Sequence, residues 1–401
     1  MTEPNKPISS QVVIVGGGVA GLEALLALRA LLGDRVDLTL MSQHDSFVDR
    51  PMTVAEPFGF GSPAHLSLPR VAAENGAQFI HGKAVAVNAP GHRVSCADGR
   101  ELRFDTLILT LGAQAHAPFS DAITFGSEGS HQAIREMLAR LRDGQARSVA
   151  FVAPATTGWL LPLYELALMT ARELARSNID WVELRLVTPE DRPLALFGSE
   201  LSQNVGRLLD TAGIEFIHGS FAKLGGGGLM YGAIGLPSSE YVVTLPLLRG
   251  PEVAGVPATE PHEFIPVDEY GRVKGLDDVY AAGDAVDFPV KQGGLAAQQA
   301  DTVAEHIAAS CGAGVEPAPF QPVLRGMLFT GGEPLYMRSD VPGADPDVPG
   351  AWYPLWWPPT KVAGRHLPPY LFERGDDEDF GGPPLGFVDV DIPLSAITLP
   401  G

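Results

Sequence analysis

Three glycines in the spacing GxGxxG, Gly16, Gly18 and Gly21, lie between the apolar run QVVIVG and the segment VAGLEALLALRALLG. In that setting the first glycine permits a tight turn and the second lets a pyrophosphate reach backbone N–H groups at a helix start. The third lets helix and strand approach closely. The chemistry implied is nucleotide binding, against the plainer alternative of a Gly-rich turn in an unliganded α/β protein. A dinucleotide site usually adds an acidic residue after the second strand to meet ribose hydroxyls. Here that place falls near Ser42, beside Gln43, so a hydroxyl or an amide has to take the role. Far along the chain, VYAAGDAVDFP supplies Gly283 and Asp284, an acid after a strand-ending glycine, suited to accept a hydroxyl. Alone, such a GD pair is a common turn. A site with parts at residues 16 and 284 requires the chain to leave the first unit and come back to it.

The elements that must carry these residues read as alternating strands and helices. Residues 11–16 predict a strand, and Leu22, Leu25, Leu26 and Leu32 recur at helical spacing until Gly33. Residues 36–41 predict a second strand, completing a β-α-β unit that demands a parallel sheet with helices on its faces. SQHDSFVDRPMTVAEPFGFGSP is too broken by Pro and Gly for a long regular element. A short helix within 67–76, a strand at 77–81, a hairpin from 84–88 and 92–96, a turn through DGRELRFD and a strand at 106–112 follow. A second pattern begins with a helix at 128–142 and continues with strands at 148–153, 182–188 and 241–245. An amphipathic helix at 160–177 and a helix, Gly stop and strand in LSQNVGRLLDTAGIEFIHG fall between them. Four glycines at 225–228 predict a hairpin turn or loop. A helix over about 293–309, two strands around the Gly-Gly turn of VLRGMLFTGGEPLYMR, an aromatic Pro-rich segment and a tail containing GDDEDFGG complete the chain.

With 401 residues, two or three domains fit, and 45 % hydrophobic with 19 % charged residues excludes a chain disordered throughout. Acidic residues number 48 against 28 basic, and the net charge of -20 argues against nucleic acid and against an anionic membrane surface as partners. The two cysteines, Cys96 and Cys311, are far apart and make neither a disulfide framework nor a CxxC pair. MTEPNKPISS leads into the first strand without an apolar h-region, and no 18-residue charge-free apolar run occurs. The expectation is a soluble cytoplasmic protein without a transmembrane segment.

VVIVGGGVAGLEALLAL, FDTLILTLGA at 104–113 and GLDDVYAAGDAVDFPVKQGGLAAQQAD at 275–301 together resemble the FAD-binding signatures of the pyridine-nucleotide-disulfide oxidoreductase superfamily. The resemblance covers about the first 310 residues. It is strongest toward the branch that holds sulfide:quinone oxidoreductases and type II NADH dehydrogenases. It implies an α/β fold of two nested three-layer Rossmann-like nucleotide-binding modules plus a C-terminal α+β segment. The expected division is an FAD-binding domain from residues 1–120 and 250–310, a second, NAD(P)-like domain over 121–249 and a C-terminal segment over 311–401. It also implies noncovalent FAD, with Gly16, Gly18 and Gly21 at its pyrophosphate and Ser42 at the ribose. Arg50 and Pro51 would lie where the chain passes the flavin, Gly112 in a cofactor-contacting turn, and Gly283 and Asp284 at the ribityl and phosphate part. Lys291, Gln292 and Gly293 would lie at the pyrimidine edge, where a cation or a helix-start amide stabilises charge on the reduced ring. Lys291 is thus expected to tune the flavin electrostatically, against the alternative of an ordinary surface lysine.

Departures from the family pattern narrow the function. Where relatives carry GxGxTGxE, this chain has Ala153, Pro154, Ala155, Thr157, Gly158 and Leu160, without the first two glycines and the acid. A retained structural module with weak or absent NAD(P)H use is expected there. Neither cysteine matches the redox positions of sulfide oxidation, which runs through thiolate and disulfide chemistry. Trp352, Tyr353, Trp356 and Trp357 could stack on a flat quinone, pack an irregular segment or form a homodimer contact. Lys361 and His366 add polarity without ligand spacing, and His44, His81 and His262 make no metal site. The resulting expectation is an FAD oxidoreductase passing electrons from an unidentified small-molecule donor to a quinone or another small acceptor, cytoplasmic or peripheral to the inner membrane. A diverged type II NADH:quinone oxidoreductase and a noncatalytic FAD-binding scaffold are the rivals.

Overall fold

The structure is a computed structural model and describes residues 10–154, 157–218, 222–225, 228–231, 239–340 and 350–374. Ala155, the first nine residues and the GDDEDFGG tail lie outside the described residues.

Five parallel strands form the first sheet, in the order Val279–Ala281, Thr106–Leu109, Ser10–Val15, Val36–Ser42, Gln78–His81. The strand at its centre is apolar without alternation because both of its faces are covered. Val12 and Ile14 pack toward the helices, while Val13 and Val15 pack toward a three-stranded sheet made by Ala84–Asn88, Arg93–Cys96 and Glu101–Arg103. The helical layer holds α1 (Val19–Leu32), the short α2 (Leu68–Glu74) and the returning helix Gly293–Ser310. Alanines such as Ala20, Ala24, Ala296 and Ala300 let the first and last of these helices lie close together.

The second sheet is also parallel, with the order Ile123–Thr124, Tyr241–Thr244, Ser148–Val152, Glu183–Val187, Ile214–Ile217. Helices α3 (Ser130–Arg142), α4 (Leu161–Arg176) and α5 (Ser199–Thr211) cover one face through Val149 and Phe151. Ala150 and Val152 meet a thinner layer that includes Phe119 on the other. The two-module α/β fold expected from the sequence is the fold observed. On either side of the glycine run, Ala222–Gly225 pairs antiparallel with Gly228–Tyr231, while residues 226–227 lie outside the described residues. After the returning helix, α6 (Gly293–Ser310), the strands Val323–Leu328 and Leu335–Asp340 pair antiparallel, and α7 (Leu367–Phe372) closes the described chain.

Two stretches are more regular than expected. Residues 43–64 contain the strand Ser46–Val48, paired with His65–Ser67, and a 3-10 helix, Arg50–Phe58. Its first turn tolerates Pro51 because the N–H lost there has no helical partner, and Gly59, at φ +72°, ends it. Glu101–Arg103, expected within a turn, is instead the third strand of its small sheet.

Acidic side chains of the first module hold the C-terminal segment down. Glu23, on α1 and fully buried, accepts the backbone N–H groups of His366 at 2.7 Å and Leu367 at 2.8 Å, at the start of α7. Arg365 pairs with Glu305 at 2.7 Å and the Tyr370 hydroxyl donates to Glu74 at 2.7 Å. Beside Glu23, burial and then the Glu23 charge push the Asp301 carboxyl well above the usual carboxylate range, with Arg365 pulling the other way. An acid whose folded pKa is raised binds more protons folded than unfolded. Its contribution is therefore full below the unfolded value of about 3.9 and declines as pH rises toward the folded one. Asp301→Asn should accordingly raise the melting temperature by an amount that is small near pH 4 and grows toward pH 8. A difference from wild type that does not change with pH would contradict this account.

Candidate functional site

The parallel register brings separate sequence motifs to one edge. Met41, Val15, Leu109 and Ala281 are aligned across four neighbouring strands. The residues that follow, Ser42, Gly16, Thr110 and Ala282, therefore emerge together at the carboxyl edge, the ligand-binding edge of open α/β sheets. Gly16 takes φ +122°, and a Cβ there would lie 2.1 Å from the Thr110 carbonyl oxygen; a Cβ on Gly21 would lie 1.9 Å from that of Gly16. The Thr110 hydroxyl donates to the carbonyls of Val15 at 3.1 Å and Gly16 at 3.0 Å, fixing the turn. Gly18 is different: a Cβ there meets nothing within 4 Å, so the protein's own packing leaves this position open. Ser42 is buried beside this turn, its hydroxyl accepting the His44 N–H at 3.1 Å. Gly112, at φ +69°, also faces open space.

Gly283, at φ +78°, sits where a Cβ would press on Ala20 at 3.0 Å, and its N–H donates to Gln299 at 2.8 Å. The neighbouring Asp284 is half-buried, and its carboxylate receives no hydrogen bond among the described residues. Burial raises its pKa, and the charges of Lys291 and Arg50 oppose the rise. A half-buried acceptor without a donor among the described residues, at the same edge as an uncovered glycine turn, fits a ligand carrying hydroxyl groups and a pyrophosphate. These residues are compatible with FAD.

At the start of α6 the assigned residues have partners within the fold. Gln292 is buried, its oxygen capping the helix by accepting the Leu295 N–H at 2.8 Å and its nitrogen donating to the Arg325 carbonyl at 3.1 Å. It positions the helix start, with both ends of its amide engaged. A Cβ on Gly293 would come within 2.9 Å of Val362 and 3.7 Å of Pro51, which brings the 3-10 helix, α6 and the C-terminal segment together. The Lys291 ammonium donates to the Val286 carbonyl and lies 3.5 Å from the centroid of the Phe264 ring. Burial draws its pKa down to about 8, against the pull of Asp284 and Asp287.

Next to this junction lies a buried ion pair that the sequence reading missed. Lys361 contacts both carboxylate oxygens of Glu165, on α4, at 2.6 Å, and Glu165 also accepts the Phe329 N–H at 2.8 Å. Burial pushes Glu165 up and Lys361 down, and the charge of each pulls the other back. Asp49, heading the 3-10 helix, is buried with Oδ1 unpaired, and burial raises it to about 6 although Lys361 opposes this.

Other sequence candidates separate in space. Trp356 is 2 % exposed and donates to the Thr360 carbonyl, Trp357 packs on Phe372, and Trp352 and Tyr353 are 50 % and 68 % exposed. Cys96 is buried against Met41 and Cys311 is exposed beyond α6. His81 pairs with Asp45, and no group of potential metal ligands forms among the described residues. In the second module, a Cβ on Gly158 would lie 2.0 Å from the Pro289 carbonyl oxygen, so the modules touch there. Glu190, just past the strand Glu183–Val187, accepts the Tyr164 hydroxyl at 2.6 Å. Its signal, an acid after the second strand of the second module, was legible in VELRLVTPE.

The family model described as pyridine nucleotide-disulphide oxidoreductase matches residues 10–226. The oxidoreductase ptaL of Pestalotiopsis fici is 25 % identical over 345 residues, covering 79 % of this chain and 87 % of that protein. Among solved structures, the sulfide:quinone oxidoreductase of Aquifex aeolicus superposes with a TM-score of 0.76 at 19 % identity, over 85 % of this chain and 86 % of that one. NDH2 of Plasmodium falciparum, solved with NADH, gives 0.63 at 12 % identity, over 83 % and 90 %. At these identities the structural likeness concerns the fold.

The buried pair generates a stability test. Lys361→Met strands the Glu165 charge and should cost about 3–5 kcal/mol. Adding Glu165→Gln keeps an acceptor for Phe329 and should recover most of that loss in denaturant unfolding. Additive losses in the double variant would contradict the pairing.

Proposed function

Because the chain belongs to the pyridine nucleotide-disulphide oxidoreductase family and is a flavin-dependent oxidoreductase with FAD as its cofactor, we propose that it passes electrons from a small-molecule donor to a quinone or another small acceptor. One observation carries the cofactor assignment to particular residues: Gly16, Gly18, Ser42 and the unpaired Asp284 share one sheet edge. Backbone N–H groups at the start of α1 would meet the pyrophosphate, the Ser42 hydroxyl the ribose, and the Asp284 carboxylate the ribityl hydroxyls. FAD supplies a centre that accepts two electrons from a donor and releases them one or two at a time. Arg50, Pro51 and Gly293 would border the ring. The N–H groups opening α6 favour negative charge beside it, and charged Lys291 acts in the same sense from its place over Phe264. Asp49 holds a proton at its carboxyl up to about pH 6 within the same junction.

Support for a quinone acceptor comes from the likeness to a sulfide:quinone oxidoreductase. Against sulfide as donor stands the separation of Cys96, buried in the small sheet, from Cys311, exposed beyond α6. Among the described residues no helix is long and apolar enough to cross a membrane. A pyridine nucleotide donor is favoured by the placement of Glu190 and disfavoured by the alanines, Ala153 and Ala155, that stand where relatives carry turn glycines, and by Pro154, which lacks a backbone donor. The bond from Tyr164 to Glu190 also occupies the acid.

Gly18→Ala tests the cofactor assignment. The methyl group meets no protein atom within 4 Å, so the apoprotein should melt within about 1 kcal/mol of wild type, near the ordinary cost or gain of such a change. FAD occupancy after purification should nevertheless fall, and unchanged occupancy would remove Gly18 from the site. Rapid anaerobic mixing with NADH should bleach the flavin slowly or not at all; fast, saturable reduction would instead establish the NADH dehydrogenase reading.

A further inference from the structure

A pocket of about 340 Å³ opens in the second module, lined by Thr157, Trp159, Glu190, Leu194, Leu196 and Phe197 among others. It lies at the carboxyl edge of the second sheet, past the ends of Ser148–Val152 and Glu183–Val187 and against the 3-10 turn Ala195–Phe197, the edge at which open α/β sheets bind ligands. Its volume falls at the small end of ligand pockets. Trp159 and Phe197 form an aromatic wall, with ring centroids 6.0 Å apart and planes inclined at 59°. Among the described residues no lysine or arginine lines it.

The charges therefore oppose a dinucleotide. Its two phosphates need N–H donors or cations, whereas the loop carries Pro154 and α4 begins with Pro162 in its first turn. The ionisable side chain in the lining is Glu190. It is tied to Tyr164 at 2.6 Å, and burial raises its pKa against that bond and against N–H groups of Leu194 and Ala195. An anion placed here would meet an acid and apolar walls. Among the described residues the Thr157 Oγ1, buried, has no hydrogen-bond partner. Gly158, at the rim, touches the Pro289 carbonyl, so the pocket abuts the segment that leads through Lys291 to the start of α6.

We propose that this pocket binds an uncharged compound of one or two fused aromatic rings, free of phosphate, with a hydroxyl or carbonyl group bonded to Thr157. The rings pack against Trp159, which the buried Phe197 backs, and the compound takes the place that an intact module would give to a nucleotide. This rests on the reading that the second module no longer uses NAD(P)H.

The test is calorimetric titration of the full-length, FAD-loaded protein with 1-naphthol, with naphthalene and with AMP. We expect saturable binding of 1-naphthol and naphthalene and none of AMP. Thr157→Val keeps the side-chain shape and removes the hydroxyl. It should weaken 1-naphthol about fivefold, the worth of one hydrogen bond, while leaving naphthalene unchanged. Leu196→Arg, at the exposed rim, should weaken both by about tenfold or more, since the guanidinium must fill or border an apolar cavity. Melting curves and flavin spectra of both variants check that the fold is intact. Absence of binding by all three probes overturns the proposal and leaves the reading of the second module standing. Tight AMP binding that 1-naphthol cannot displace overturns both. Binding of 1-naphthol that neither variant weakens places it elsewhere and also refutes the proposal.

Discussion

At Gly21 the backbone of α1 comes so close to the preceding turn that a methyl group would sit 1.9 Å from the Gly16 carbonyl oxygen. That contact sets the height and tilt at which the helix leaves the sheet. From it follow the exposure of the N–H groups at the helix start, the place of Ala20 against Gly283, and the face on which α6 can lie beside α1. Larger residues at any of these points would push the two helices apart. The motifs near residues 16 and 284 would then no longer share an edge. The glycine pattern is thus a packing requirement before it is a ligand-binding one, and the same packing leaves Gly18 uncovered, which keeps open the place proposed for the cofactor.

Around this tight centre the C-terminal segment is held by charges. Glu23 takes two of its N–H groups, Glu165 holds Lys361, and Glu305 and Glu74 hold Arg365 and Tyr370. Each bond runs from an element of a module to the same stretch of chain, 361–374. A carboxylate buried without such partners would be costly, so the modules and the segment depend on each other. Gln292 adds a neutral link by joining the start of α6 to the strand Val323–Leu328.

Much of this was legible in the sequence where the determinants are local. GxGxxG and the helical recurrence of Leu22, Leu25 and Leu26 report neighbours within one turn, and the double apolar facing of QVVIVG reports burial on both sides. Lys361 and Glu165 are separated by 196 positions, and no local pattern distinguishes a lysine that ends in a buried pair from one on the surface. The aromatic run left several readings open for a related reason. Adjacency in WYPLWW does not say which side chains pack and which stay free, and its irregular backbone turns Trp356 inward and Trp352 outward. The 3-10 helix at Arg50–Phe58 escaped because Pro and Gly signal breaks in an α-helix and say less about tighter turns.

The first sheet takes its edge strand, Val279–Ala281, from beyond the whole second module. During synthesis, Thr106–Leu109 therefore emerges long before the strand that will cover its open side, and α1 waits longer still for α6. Until then the ribosome carries a half-built layer whose Leu107, Ile108 and Leu109 backbone can pair with a stranger. The intervening module can meanwhile close its own sheet from residues 123–244 alone. Birth order and assembly order are thereby reversed: the unit that begins the chain is the later one to finish, and a chaperone meeting this protein would find its exposed surface near the beginning.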